Sequence, residues 1–175
     1  MAEAYVSPLW KNIFRLGSPK SSLVNFLATG TVFEGLSSRD RHFLADYLHV
    51  RHYDQGESIF EEGDIGSGFY LIRSGHVRLS LEPPDAESVE LARLETGDFF
   101  GETALSEAAP RLTTAVAMES SELVGLFRSD LQQLAQNRPV LCNKILLSLN
   151  QVLSRRIRSM ETLHRDSIVP SKSKG

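Results

Sequence analysis

Glu102 and Arg111 stand nine positions apart in the run Phe100-Gly101-Glu102-Thr103-Ala104-Leu105-Ser106-Glu107-Ala108-Ala109-Pro110-Arg111, which holds no side chain suited to covalent catalysis. An arginine fork can bond two phosphate oxygens and stays charged at any relevant pH. An ionised glutamate only accepts hydrogen bonds, so beside a phosphate it needs a hydroxyl proton to accept, and a sugar supplies one. Gly101 lets the backbone approach a ligand closely. A helical turn after it would aim backbone N–H groups at an anion. The combination points to a pocket for a small phosphorylated sugar. The competing reading is a capped turn with Glu102 and Arg111 as a surface ion pair, contributing about 0–1 kcal/mol. Either residue in isolation favours that reading, and the whole stretch favours the pocket.

Phe-Gly-Glu, with Ala-Leu behind it and Pro-Arg after seven intervening residues, resembles the phosphate-binding cassette of the cyclic nucleotide-binding domain family, which includes catabolite activator proteins and protein kinase A regulatory subunits. Gln55-Gly56-Glu57-Ser58-Ile59-Phe60-Glu61-Glu62-Gly63-Asp64 and Phe69-Tyr70-Leu71-Ile72-Arg73-Ser74-Gly75-His76-Val77 resemble two further family signatures, whose glycines turn one strand into the next. The three occur in family order, and the resemblance spans roughly residues 32–157. It implies a mainly β fold with flanking helices: an antiparallel β-roll, jelly-roll-like, with N-terminal helices and a long C-terminal helix. A stand-alone, bacterial-type member without an attached effector domain is expected.

The resemblance also implies roles. Arg111 holds the phosphate, Glu102 the ribose 2′-hydroxyl, and Gly101, Thr103 and Ala104 offer backbone contacts, with Leu112 and Thr113 beside them. Cyclic AMP is the expected ligand, ahead of cyclic GMP, because cyclic GMP-preferring members often carry threonine where Leu112 stands. Four positions depart from the family pattern. Thr103 and Ser106 replace apolar residues, Thr113 replaces alanine, and Leu112 replaces a small residue whose N–H often meets the phosphate. Leu112 can still donate its N–H, but its side chain could crowd the ligand. Thr113, one step along a strand, is expected on the other face. These departures keep open an alternative function, a scaffold that retains the fold and binds proteins without a ligand.

The elements that must position this run are legible from periodicity. Residues 8–16 group Leu9, Trp10, Ile13 and Phe14 at helical spacing, as an amphipathic helix docked on the protein's own body. A second helix starts at Pro19 and carries Leu23, Val24, Phe26 and Leu27. Ser37 with Asp40 three residues later marks the start of a helix over 38–48. From there short β-branched and aromatic runs at 50–53, 58–61, 68–73, 76–81, 89–94, 111–118 and 122–127 alternate with turns at Gln55-Gly56, Gly63-Asp64, Ser74-Gly75, Pro83-Pro84-Asp85 and Gly97-Asp98. Close, regular spacing favours an antiparallel sandwich or barrel. Ser129, with Gln132 three residues on, reads as the cap of a helix over 130–137, and Pro139 breaks the chain after it. A long helix then reaches about Met160. Its apolar residues form two stripes, one of Cys142, Leu146, Leu149, Leu153, Ile157 and Met160, the other of Leu141, Ile145 and Val152. Either this is one wide core face, or part of it pairs with a second copy to give a homodimer through residues 139–160. The segments are thus an N-terminal helical extension (1–30), the β-roll (31–128), C-terminal lid or dimerisation helices (129–164) and a disordered polar tail (165–175).

Composition narrows the rest. The net charge of −3 divides into −8 over residues 1–128 and +5 over 129–175, an acidic body with a basic arm. No apolar run is long enough to span a membrane, and residues 1–17 lack a secretory pattern. The lone Cys142 excludes an internal disulfide and reads as a buried structural thiol. A cytoplasmic protein is expected. His49 and His52 diverge on a strand, which is poor geometry for a metal, and no metal is expected. Glu61 and Glu62 also diverge, so they do not form a glycosidase pair. No nucleophile–base–orienter set occurs, so no enzyme activity is expected. Only 15 residues follow Met160, too few for a helix-turn-helix, so DNA is not an expected partner and the effector protein is unknown. The cluster Arg155-Arg156-Ile157-Arg158 reads as a solvated helix face. The expected function is a cyclic nucleotide-binding regulatory module that signals through its C-terminal helices.

Overall fold

The computed structural model describes residues 19–30, 32–84 and 86–168, and the Trp10 segment lies outside them. Helix α1 (Pro19–Leu27) buries Leu23, Val24 and Leu27. Helix α2 (Ser38–Leu44) begins with the expected reciprocal cap: Ser37 Oγ accepts from the Asp40 N–H, and Asp40 Oδ2 accepts from the Ser37 N–H. Its end differs from expectation. The α-helix gives way to a 3-10 turn at Ala45–Tyr47, because Leu48 is already extended (φ −104°, ψ 141°) and feeds directly into the first strand.

Eight strands follow among the described residues: β1 (His49–Tyr53), β2 (Ser58–Phe60), β3 (Gly68–Ser74), β4 (Val77–Leu81), β5 (Val89–Leu94), β6 (Phe99–Phe100), β7 (Thr114–Ala117) and β8 (Ser121–Phe127). They form two antiparallel sheets, ordered β1-β8-β3-β6 and β2-β7-β4-β5, the expected β-roll. The glycines of four expected turns, Gly56, Gly63, Gly75 and Gly97, all have positive φ.

Two strands depart from the periodic reading. β6 was not expected, since two residues are too few to show alternation; it exists because Phe99 and Phe100 pair with Leu71 and Tyr70. The 111–118 strand begins only at Thr114. The chain just before it is tied instead to the β2–β3 loop: the Arg111 N–H donates to Asp64 O (2.8 Å), and the Gly63 N–H donates to Arg111 O (2.9 Å).

The run Phe69-Tyr70-Leu71-Ile72 is apolar at every position because β3 is covered on both faces. Tyr70 and Ile72 meet Phe60, Val77, Phe100, Ala115 and Leu123 between the sheets. Phe69 and Leu71 meet Phe99, Val124, Leu126 and the helices on the other face.

Helix α3 (Arg128–Asn137) starts two residues before the range that Ser129 suggested, and Ser129 is not its cap. Asp130 Oδ2 accepts from the Phe127 N–H instead (3.0 Å), while the Arg128 N–H donates to Ser67 O (2.7 Å), so β8 turns directly into the helix. Arg138 leaves helical geometry (φ −143°, ψ 62°) before Pro139, as expected, and α4 (Pro139–Ile168) follows. α4 extends beyond Met160 and takes in residues 165–168 of the expected tail; residues 169–175 lie outside the described ones.

On α4, Leu141, Cys142, Ile145, Leu149 and Val152 are buried in the main core, whereas Leu146, Ile157 and Met160 are exposed. The second expected stripe is therefore buried throughout, and the first divides: Cys142 and Leu149 join the core, while Leu146, Ile157 and Met160 are exposed. Burial raises the pKa of the Cys142 thiol, as its structural reading requires. Ile145→Ala is expected to cost about 2–5 kcal/mol of stability, and the exposed Leu147→Ala about 0.5 kcal/mol or less, by urea denaturation followed by circular dichroism.

Candidate functional site

β6 delivers the chain to the cavity. Phe99 faces the helices and Phe100 the space between the sheets, and Gly101 then turns out of the strand in the left-handed region (φ 77°, ψ 15°). A Cβ at Gly101 would stand 2.7 Å from Arg111 Nη1, so glycine is required both by conformation and by room. The expected helical turn follows as a 3-10 helix at Glu102–Leu105.

Arg111 is the centre of the site. It is 7% exposed, its Nη1 donates to Gly101 O (2.9 Å) and its Nη2 to Gly68 O (2.8 Å). Its guanidinium lies over the Phe60 ring, 4.1 Å from the centroid. Burial lowers its pKa from the ordinary arginine value, while Tyr70, Asp64 and Glu102 act to raise it. Two carbonyls thus fix a forked cation, and among the described residues no side-chain acceptor meets its remaining N–H donors.

A cavity of about 450 Å³ opens beside it. Of the seven expected site residues, Gly101, Glu102, Thr103, Arg111, Leu112 and Thr113 line it. Ala104 does not. It is buried, its N–H donates to Gly101 O (3.2 Å) and its carbonyl accepts from Arg128 Nε (3.1 Å), so its place is beneath the turn. Glu102 and Arg111 do not form the surface ion pair considered from sequence. Glu102 Oε1 accepts instead from Arg156 Nη1 of α4 (3.1 Å).

The family departures have simple settings. Thr103 is exposed on the 3-10 helix and Ser106 is exposed just after its end, where polar side chains are at home. Leu112 is 80% exposed at the cavity's edge. Thr113 does not take the opposite face, because residues 112–113 form a bend, not a strand, and both line the cavity.

Arg156 is the site residue that sequence reasoning missed, having been assigned to a solvated helix face. It lines the cavity, its Nη2 donates to Phe99 O (3.0 Å), and its guanidinium lies 4.0 Å from the Phe99 ring centroid. The signal was present: Ile145, Leu149, Val152 and Arg156 follow the 4-3-4 spacing of one helix face, so the arginine continues the buried stripe. Leu79, Ala92 and Leu94, on β4 and β5, give the cavity an apolar wall that the sequence did not mark. Among the described residues no group of three or more His, Cys, Asp or Glu side chains could hold a metal ion, and no helix is long and apolar enough to cross a membrane.

A left-handed glycine, a buried arginine and an acid around one cavity, on a two-sheet β-roll, match what the resemblance to the cyclic nucleotide-binding domain family implied. The chain belongs to that family: the model for "Cyclic nucleotide-binding domain" matches residues 50–138. It is similar to the cyclic AMP receptor protein of Thermus thermophilus, 35% identical over 130 residues (74% of this chain, 58% of the relative). It is also similar to the cAMP-dependent protein kinase regulatory subunit of Eremothecium gossypii, 34% identical over 127 residues (71% and 27%). A crystal structure of a cyclic nucleotide-binding domain from Methylobacillus flagellatus superposes with a TM-score of 0.71 at 25% identity, covering 91% of this chain and 89% of that one. The chain spans 58% and 27% of the length of these two curated relatives, which are a receptor and a regulatory subunit by name.

Gly101→Ala is expected to cost about 1–3 kcal/mol, through backbone strain and displacement of Arg111. Urea denaturation measures the loss, and Gly35→Ala, where nothing lies within 4 Å of the added Cβ, is the matched control.

Proposed function

We propose that this chain binds a cyclic nucleotide, cyclic AMP in preference to cyclic GMP, and signals occupancy through its C-terminal helices without enzymatic chemistry. The observation that carries this reading is Arg111, a buried and rigidly held fork that faces a cavity with Glu102 on its rim. Arg111 takes the exocyclic phosphate oxygens, Glu102 accepts the ribose 2′-hydroxyl, and the Leu79, Ala92 and Leu94 wall receives the apolar face of the base. Leu112 lines the cavity and is 80% exposed. The names of the two curated relatives support the choice of cyclic AMP.

The output is assigned to α4. Its exposed residues Leu146, Ile157 and Met160, with the half-buried Leu153 between them, follow heptad spacing, with Asn150 at the remaining position. Such a seam pairs two helices in a coiled coil, and a polar residue at one seam position restricts register and partner number. The occupant is a second copy of this chain, which makes the chain a homodimer through residues 139–160; a separate effector protein then reads the change.

Isothermal titration calorimetry is expected to show binding of cyclic AMP, weaker binding of cyclic GMP and none of AMP. Arg111→Ala is expected to cost about 2–5 kcal/mol, roughly thirtyfold to a few thousandfold in affinity. Unchanged cyclic AMP affinity in that variant would refute the role of Arg111. Ile157→Glu is expected to convert a dimer to a monomer in sedimentation velocity with cyclic AMP affinity retained.

A further inference from the structure

α4 has a third face. Val140, Lys144, Leu147, Gln151 and Arg155 recur at steps of three or four residues and so share one row. That row belongs neither to the buried stripe nor to the seam of Leu146, Leu153, Ile157 and Met160. Helix α2 and the loop before it flank the row and make a groove of it. A cavity of about 380 Å³ lies among Arg39, Phe43, Arg138 and Val140. A second, of about 400 Å³, lies among Glu34, Lys144, Leu147 and Arg155. Asp40 lines the first and Lys144 the second, and the two are paired at 2.7 Å, so the cavities adjoin across that ion pair. From Val140 to Arg155 the groove runs about 22 Å along α4.

The groove is apolar and basic together. Val140 and Leu147, seven residues apart, are 72% and 57% exposed. The guanidinium groups of Arg138 and Arg39 lie 3.9 Å and 5.7 Å from the centroid of the half-buried Phe43 ring, which orders both. Lys144 takes up the charge of Asp40. Among the described residues the Arg39, Arg138 and Arg155 side chains meet no carboxylate, and Glu34 is the acid that stands against them.

We propose that this groove docks an acidic amphipathic helix of a partner protein, about four turns long, with apolar residues seven apart over Val140 and Leu147 and carboxylates on the three arginines. Charge complementarity selects this occupant. The C-terminal helices of a second copy, in a region of net charge +5, would be repelled. The chain's own ends are also basic: residues 1–18 carry Lys11 and Arg15 against Glu3, and residues 169–175 carry Lys172 and Lys174 with no acid. The exposed apolar pair suits a helix better than a nucleic acid backbone. The groove shares no lining residue with the cavity beside Arg111, so the proposal holds whatever that cavity binds.

The test is fluorescence anisotropy of the full chain with a labelled synthetic helix of about four turns, its leucines seven apart and flanked by glutamates. This helix is expected to bind, more weakly as salt rises from about 50 to about 500 mM, and its counterpart with lysine for glutamate is not. The double variant Arg39→Glu, Arg138→Glu is expected to weaken binding by about tenfold or more. Both side chains are exposed, so its circular dichroism spectrum should match wild type. Leu147→Asp should weaken binding as well, and serves as the test should the double variant fold poorly. Absence of binding by the acidic helix would overturn the proposal. Binding lost in Ile157→Glu but kept in the groove variants would place the helix on the seam and overturn it too. Displacement of the helix by an equal concentration of a thymidine oligonucleotide would overturn it in favour of a nucleic acid.

Discussion

The site depends on a cation that has been taken out of water. Burying the Arg111 guanidinium is costly unless its donors are met, and a buried charge left unpaired would weigh heavily on a small domain. Here the compensation comes from Gly101 O, Gly68 O and the Phe60 ring, contributed by three separate pieces of the β-roll. The surrounding backbone is shaped around that arrangement. A Cβ at Gly66 would lie 3.2 Å from the Arg111 guanidinium carbon and 2.6 Å from the Ala104 Cβ, so the loop opposite must also be glycine. Arg111 is therefore a structural tie between β2, β3 and the cassette, and at the same time the strongest local attraction for an anion.

A second arginine binds the cassette from outside. Arg128, at the start of α3, donates to the carbonyls of Ala104 and Gly66, and so fastens the 3-10 helix and the β2–β3 loop to the first turn of the C-terminal helices. Arg156 does the same for Glu102 and Phe99 from α4. The cassette is thereby tied to both helices by hydrogen bonds as well as by the packing of Leu105 in the main core. A ligand that binds one arrangement of cassette and helices better than another shifts the population towards it.

Much of this was legible in the chain. The turn glycines, the Ser37–Asp40 cap and the apolar β3 run each express a local rule of backbone or period, and each appears where the rule puts it. The misreadings share a cause. β6 is a strand only because Tyr70 and Leu71 supply its partners, and residues 112–113 bend only because the preceding segment is held by the 63–66 loop. Ser129 satisfied a local capping rule, but Asp130 is the residue aimed at the Phe127 N–H once β8 enters the helix directly.

The sequence by itself determined the class of fold, the order of its elements, and the pairing of one acid with one arginine in a glycine-led turn, because these follow from composition and short-range spacing. Only the tertiary structure decided what those two residues do to each other and to their neighbours. Glu102 and Arg111, expected as either ligand contacts or a mutual ion pair, have different partners: two backbone carbonyls for one, and an arginine 54 positions away for the other. The physical reason is that a buried charge takes whatever partner the packed chain brings within hydrogen-bonding distance, and that distance is set by the sheets and α4, not by separation along the chain.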